Sequence, residues 1–310
     1  MIYSAVLYKN EATDFNVVIC VPQSSSDSER GPFLEGEGLS IDGKALVAEF
    51  CKAIGVSFSF EELRTDETIF YSEEFKKNFA VLNHVPYSSL IARLLMFMNA
   101  TQDFIYLDVD LIMQPGWDEI FMEHPKEENT VLMAAKNHYR ANLNERGHPE
   151  HPQYWIMEDS TNNDDYFNSG VIKYFYENWK SQNFTIKLLQ LLNRIESREI
   201  KVWLSDQDVL NNISRDYVEI LDQYYNVMVH TMGADITNQY FSIDKYRQPR
   251  ILHFIGGTKP NMFDEEFKNR VVHMIDWNSS NKFHDHAQNF FYIYFFIHNQ
   301  RLLWEGFHNL

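Results

Sequence analysis

Apolar positions fall into short runs with two distinct periods. Phe15 to Val21 is a β-branched run between polar residues and reads as a buried strand. Residues 23–43 are rich in Ser, Gly, Asp and Glu and read as a loop. Ala45 to Ile54 carries a helical pattern, and Val56 to Phe60 alternates like a strand. Val85 to Met98 has apolar residues at helical spacing; Phe104 to Leu107 is a short strand ending abruptly in acid. Val131 to Ala135 is another strand, Phe184 to Ile195 and Asp206 to Ile213 read as helices, and Ile251 to Ile255 is a strand ending in glycines. Helix and strand thus alternate through residue 255, which predicts an α/β domain with a mainly parallel sheet. From Asn261 onward the chain reads as helical and aromatic-rich.

Composition narrows the class. The chain has 310 residues, 27 Lys and Arg against 44 Asp and Glu, and a formal charge of −17. A nucleic-acid backbone needs a basic footprint, so nucleic acid is not an expected partner. A phosphorylated small molecule is compatible, because one metal ion reverses the local field. Two cysteines, Cys20 and Cys51, are too few for a disulfide framework or a zinc site. The longest apolar run, Phe290 to Ile297, falls far short of the roughly 18–20 residues of a membrane span. No secretory signal opens the sequence. These features predict a soluble, cytoplasmic protein.

The sharpest local feature is Ile105-Tyr106-Leu107-Asp108-Val109-Asp110. In an extended chain, carboxylates at i and i+2 share one face. Two such groups repel unless a cation or a proton lies between them. Ligands of open α/β sheets collect beyond the carboxyl ends of strands. A divalent ion bridging to a diphosphate fits, and hard oxygen ligands suit Mg²⁺ or Mn²⁺. The bland alternative is a solvated turn.

Three further segments each have a structural and a functional reading. Tyr166-Phe167-Asn168-Ser169-Gly170-Val171 places an amide and a glycine at a strand entrance. Ser205-Asp206-Gln207-Asp208-Val209-Leu210-Asn211 places acid and amide groups at a helix start, where acids are also ordinary caps. Ile251 to Pro260 gives a histidine at a strand, two glycines and a lysine. Together and in this order, the four blocks resemble the family 8 glycosyltransferases, a group that includes glycogenin and bacterial lipopolysaccharide galactosyl- and glucosyltransferases. Ala92-Arg93-Leu94 matches the Arg-Leu part of that family's upstream helix. The likeness is strong from about residue 85 to 260.

The resemblance implies a GT-A type nucleotide-diphospho-sugar transferase: a Rossmann-like, mainly parallel sheet flanked by helices over residues 1–260, followed by a helical extension over 261–310. It implies a retaining transfer of glucose or galactose from a UDP-sugar to a hydroxyl of a carbohydrate, glycoconjugate or protein acceptor. Asp108, Asp110 and His253 would hold Mn²⁺, with Mg²⁺ as the alternative, and so should converge despite their separation in sequence. Arg93, Asn168 and Gly170 would shape the donor-sugar pocket. Gly256 and Lys259 would grip the diphosphate. Asp206 would bond the sugar hydroxyls, and Gln207 would sit beneath the anomeric carbon. An amide is a poor nucleophile, which favours front-face attack over a covalent intermediate.

Two departures stand out. Met1 to Lys9 matches the helix that follows the family's opening strand, so the usual first strand and its base-binding turn are expected to be absent. The family's Lys-Pro-Trp reads Lys259-Pro260-Asn261 here. The aromatic tail from Asn289 to Leu310 reads as a packed helix in preference to a peripheral membrane contact, since only four Lys and Arg stand against six Asp and Glu from residue 261 on. The competing readings are a catalytically inactive relative that binds a nucleotide sugar or a protein, and a different acidic metal enzyme such as a phosphatase.

Overall fold

The computed structural model describes residues 1–22, 41–63, 67–79, 87–137, 166–200, 202, 204–228 and 249–255. The expected extension over 261–310 lies outside them. The described helices are α1 (Ile2–Tyr8), α2 (Ile41–Ala53), α3 (Glu73–Phe79), α4 (Tyr87–Asn99), α5 (Tyr176–Ser181), α6 (Phe184–Glu196) and α7 (Ser205–Ile213). The strands are β1 (Asn16–Pro22), β2 (Ser57–Leu63), β3 (Phe104–Leu107), β4 (Leu111–Met113), β5 (Leu132–Lys136), β6 (Phe167–Tyr174), β7 (Val218–Leu221), β8 (Val227–Met228) and β9 (Ile251–His253).

The α/β class holds, and among the described residues three strand pairs are parallel and three antiparallel. β1 pairs parallel with β2 in a sheet of two strands. A second sheet runs β3-β6-β5-β7, with β6 antiparallel to both neighbours and β5 parallel to β7. A third runs β4-β9-β8, antiparallel then parallel. Helix–strand alternation counts the elements; it does not fix the direction in which β6 enters between β3 and β5.

Strands β5 and β6 are buried on both faces, and side-chain alternation divides β5 between two cores. Leu132 and Ala134 join one core with Phe97, Tyr174, Trp179 and Leu188; Met133 and Ala135 join the other with Leu111, Trp117, Val171 and Ile251. Phe97 centres the first, with ring centroids 5.5 Å from Phe104, 5.6 Å from Tyr174 and 5.9 Å from Trp179. Burial on both faces explains why Val131 to Ala135 is a continuous apolar run and not an alternating one. Lys173 is buried in β6 because its ammonium donates to the carbonyls of Ile120, Phe121 and Glu123, which close the 3-10 turn Trp117–Met122.

Helix α1 is fastened to the second core by polar contacts. Met113 N–H donates to Ser4 Oγ at 3.0 Å, and Trp117 Nε1 donates to Ala5 O at 3.0 Å. Ser4→Ala would leave a buried amide unsatisfied, so denaturant melts should show a loss of about 1–3 kcal/mol. An unchanged midpoint would mean that the Ser4–Met113 bond adds no net stability. Among the described residues, no helix is long and apolar enough to cross a membrane.

Candidate active site

The acidic pair lies where the chain changes sheets. β3 ends at Leu107 against β6, and β4 begins at Leu111 against β9. Between them, Val109 and Asp110 form a turn, so the extended geometry expected for these residues is replaced by a bend. Both flanks are pinned. Asp108 N–H donates to Gly170 O at 2.8 Å, and Phe254 N–H donates to Asp110 O at 3.0 Å. The second bond joins the turn to β9, whose last residue is His253, paired with Leu111. The side chain of Val109 faces outward and is 82% exposed.

The expected convergence of Asp108, Asp110 and His253 is present. His253 Nε2 lies 3.3 Å from Asp110 Oδ1 and 3.5 Å from Asp108 Oδ2. One ligand atom from each residue lies within 4.8 Å of the others. Two carboxylates and one imidazole make a chemically sound donor set for Mn²⁺, whose preference spans oxygen and nitrogen. Burial opposes charge on His253, but hydrogen bonds and negative charge from both aspartates outweigh it and raise the ring above the usual histidine range. A proton on the ring nitrogen facing the aspartates and an ion would compete for the same place.

Arg93, from α4, links the acidic pair to α7. Its guanidinium reaches Asp108 Oδ1 at 2.6 Å, Asp206 Oδ2 at 2.5 Å, Ser169 Oγ at 3.1 Å and Tyr106 OH at 2.7 Å. Tyr106 OH donates to Asp108 Oδ1 at 2.5 Å, and Arg93 stacks over its ring at 5.1 Å. Burial opposes ionisation of Asp108, yet Arg93, His253 and Tyr106 hold its carboxyl well below the ordinary range. Asp206 is more deeply enclosed and shares that one cation with Asp108, so burial keeps its carboxyl above the ordinary value. The geometry makes Arg93 a bridge between two carboxylates.

Asn168, Ser169 and Gly170 lie where the β5–β6 register shifts between Ala134 and Lys136. Such an irregularity re-aims side chains at a sheet end. Gln207 Oε1 accepts from Asn168 Nδ2 at 3.1 Å and from Ser169 N–H at 3.1 Å, while its Nε2 donates to Tyr166 OH at 3.0 Å. Asp208, a turn into α7, reaches back over the helix start, accepting from the N-cap Leu204 N–H at 2.8 Å and from Tyr166 OH at 2.6 Å. The helix-cap reading of this block therefore applies to Asp208, while Asp206 and Gln207 point into the polar cluster. Ser205 opens the helix at φ +45°, held by an Oγ bond of 2.7 Å to Phe79 O.

Gly170 is required by crowding. A Cβ there would lie 2.1 Å from His253 Cε1 and 2.9 Å from Asp108 Oδ2. Gly256 and Lys259 fall outside the described residues. Sequence reasoning missed Tyr106, Ser169 and Tyr166 as site-forming groups, and it missed Asn226, which meets the far side of the His253 ring at 2.9 Å. Asn226 lies between a 3-10 turn and a two-residue strand, too short for any periodic signal.

Residues 39–261, well over half of the chain, match the family model described as glycosyl transferase family 8. Among curated proteins, the chain is 29% identical to General stress protein A of Bacillus subtilis (strain 168) over 132 residues, 41% of this chain and 40% of that protein. It is 25% identical to the lipopolysaccharide 1,2-glucosyltransferase of Escherichia coli over 218 residues, 65% of this chain and 61% of that protein. The match thus covers less than two thirds of either relative. Among solved structures, the bifunctional glycosyltransferase WbbM superposes with a TM-score of 0.59 at 18% identity, over 84% of this chain and 43% of that one. The galactosyltransferase LgtC, crystallised with donor and acceptor sugar analogues, gives 0.54 at 15% identity, over 88% of this chain and 100% of that one. These likenesses establish the GT-A type fold.

Proposed function

The chain belongs to glycosyl transferase family 8, and from that membership we propose that it is a metal-dependent, retaining glycosyltransferase that moves a glucose or galactose unit from a UDP-sugar to an acceptor hydroxyl. The convergence of Asp108, Asp110 and His253 at the turn between β3 and β4 carries this reading. These three would hold Mn²⁺, with Mg²⁺ as the substitute. When bound, the ion supplies positive charge to the diphosphate that departs. The acceptor would be a carbohydrate, a glycoconjugate or a protein side chain. The proposal includes a domain over 1–260 with a helical extension over 261–310. It also includes a reducing, cytoplasmic setting, supported by the free thiols of Cys20 and Cys51.

The chain's own residues have separate tasks. Arg93 holds Asp108 and Asp206 in register and offsets their charge. Asp206 carries negative charge near the site where positive charge builds on the sugar ring. Asn168 and Gly170 shape the floor of the donor pocket. Gly256 and Lys259 are assigned to the diphosphate. The oxygen of Gln207 is already occupied by Asn168 and Ser169 donors. That supports front-face attack, in which the departing phosphate takes the acceptor proton, over attack by the amide.

A panel of UDP-sugars, assayed for UDP release with Mn²⁺ and with chelator, tests the reading. Turnover of one UDP-hexose that stops in chelator is expected. UDP binding with no turnover of any sugar would instead favour the inactive relative. Gly170→Ala offers a structural check. The methyl would push His253 out of place, and Mn²⁺ affinity should fall about 10–100-fold, as it does when groups that orient a ligand are lost. Unchanged Mn²⁺ affinity in this variant would show that His253 is not a ligand.

A further inference from the structure

The far side of the His253 ring is bound into a chain of amides that starts at the main chain. Gly170 N–H donates to Asn168 Oδ1 at 2.9 Å. A backbone N–H can only donate, so the Asn168 atom facing it is its oxygen. Asn226 meets that same oxygen at 2.8 Å and must present its Nδ2 there. Its other end, Oδ1, then faces His253 Nδ1 at 2.9 Å. A carbonyl oxygen only accepts, so Nδ1 carries the hydrogen. The remaining ring nitrogen, Nε2, is the one turned toward Asp108 and Asp110. Asn226 is fully enclosed, Asn168 is 6% exposed and His253 is 1% exposed, so water does not substitute for any link.

We propose that Asn226 is a positioning residue: it fixes the His253 ring by accepting from Nδ1–H, so that Nε2 offers its lone pair to the ion shared with Asp108 and Asp110. The inference rests on the metal reading above, but the bond to Nδ1–H stands apart from it. The polarity of the chain is set by Gly170, whose carbonyl also accepts the Asp108 amide. One residue, through the peptide groups on its two sides, thus orients both the Asp108 backbone and, through two side-chain amides, the imidazole.

Two substitutions separate this role from simple packing. Asn226→Asp keeps an acceptor for Nδ1–H but loses the bond to Asn168. Asn226→Leu keeps the branched shape and loses both bonds. Mn²⁺ binding, followed by electron paramagnetic resonance of the free ion, should weaken about 10–100-fold in Asn226→Leu and stay within about threefold of wild type in Asn226→Asp. In ¹⁵N-histidine-labelled, ion-free protein, the His253 Nδ1–H resonance, identified by its loss in His253→Gln, should persist in Asn226→Asp and shift or vanish in Asn226→Leu. Equal loss of Mn²⁺ affinity in both variants would reduce Asn226 to a packing group and overturn the proposal. So would wild-type affinity in Asn226→Leu. A wild-type chain that binds no divalent ion would defeat the metal reading. The resonance then decides the bond alone, and an unmoved signal in Asn226→Leu would overturn it.

Discussion

Asp110→Asn should lower turnover by at least about a hundredfold while leaving the fold intact. The substitution is nearly isosteric. Its backbone carbonyl still accepts from Phe254 N–H, so the junction between β4 and β9 is preserved. What changes is charge: the ion loses one of two anionic ligands, and His253 loses one of the two carboxylates facing it. Without Mn²⁺ the melting midpoint should move little, because the Asp110 side chain does not belong to either apolar core. With saturating Mn²⁺, wild type should gain midpoint and the variant should not, since only an ion that binds the native state stabilises it. Wild-type turnover in Asp110→Asn would count decisively against the assignment.

Arg93→Met should cost about 3–5 kcal/mol of stability and abolish turnover, because it strands two carboxylates around an apolar chain. Asp206 has 2% of its side chain exposed and Asp108 18%, so water can compensate neither charge fully. The pH dependence has a definite sign. Asp206 already sits above the ordinary carboxylate value, and losing Arg93 raises it further. A raised carboxyl destabilises the native state above that value, and the penalty fades as pH falls through it. Asp108 runs the other way in wild type: its held-down carboxyl contributes stability above the ordinary value, lost only as pH falls through the lowered one. The gap between Arg93→Met and wild type should therefore narrow between neutral and mildly acidic pH. Denaturant melts in chelator at both conditions measure it. Equal stability at neutral pH would show that the carboxylates find another partner.

The sequence disclosed most of what period and punctuation can encode. Phe104 to Leu107 is bounded by acids and emerges as strand β3 with the same limits. The helices read at 184–195 and 206–213 occur with ends shifted by a single residue. Helix α2 starts at Ile41, inside the stretch read as a loop, since Asp42, Gly43 and Lys44 make its first turn polar. Helix α3 has seven residues and β8 two, below the length at which a period can be recognised. The bend at Asp108 and Asp110 was hidden for another reason: local spacing describes one strand, while the turn arises because β3 and β4 pair with different partners. The convergence of Asp108, Asp110 and His253 was legible through ordered motifs. The Arg93 bridge was not, since Asp206 lies 113 residues away and only tertiary packing selects it as a partner.

In the proposed reading, Asp108, Asp110 and His253 would form one ion-dependent diphosphate site in an acidic protein. Without an ion, the two aspartates repel a nucleoside diphosphate; with one, the local field reverses. Calorimetric titration of UDP into wild-type protein, once with Mn²⁺ and once with chelator, reads this directly. Binding should appear with Mn²⁺ and weaken by at least about a hundredfold in chelator, a difference of about 2.7 kcal/mol. UDP bound equally tightly in chelator would show that the acidic pair is not the diphosphate site.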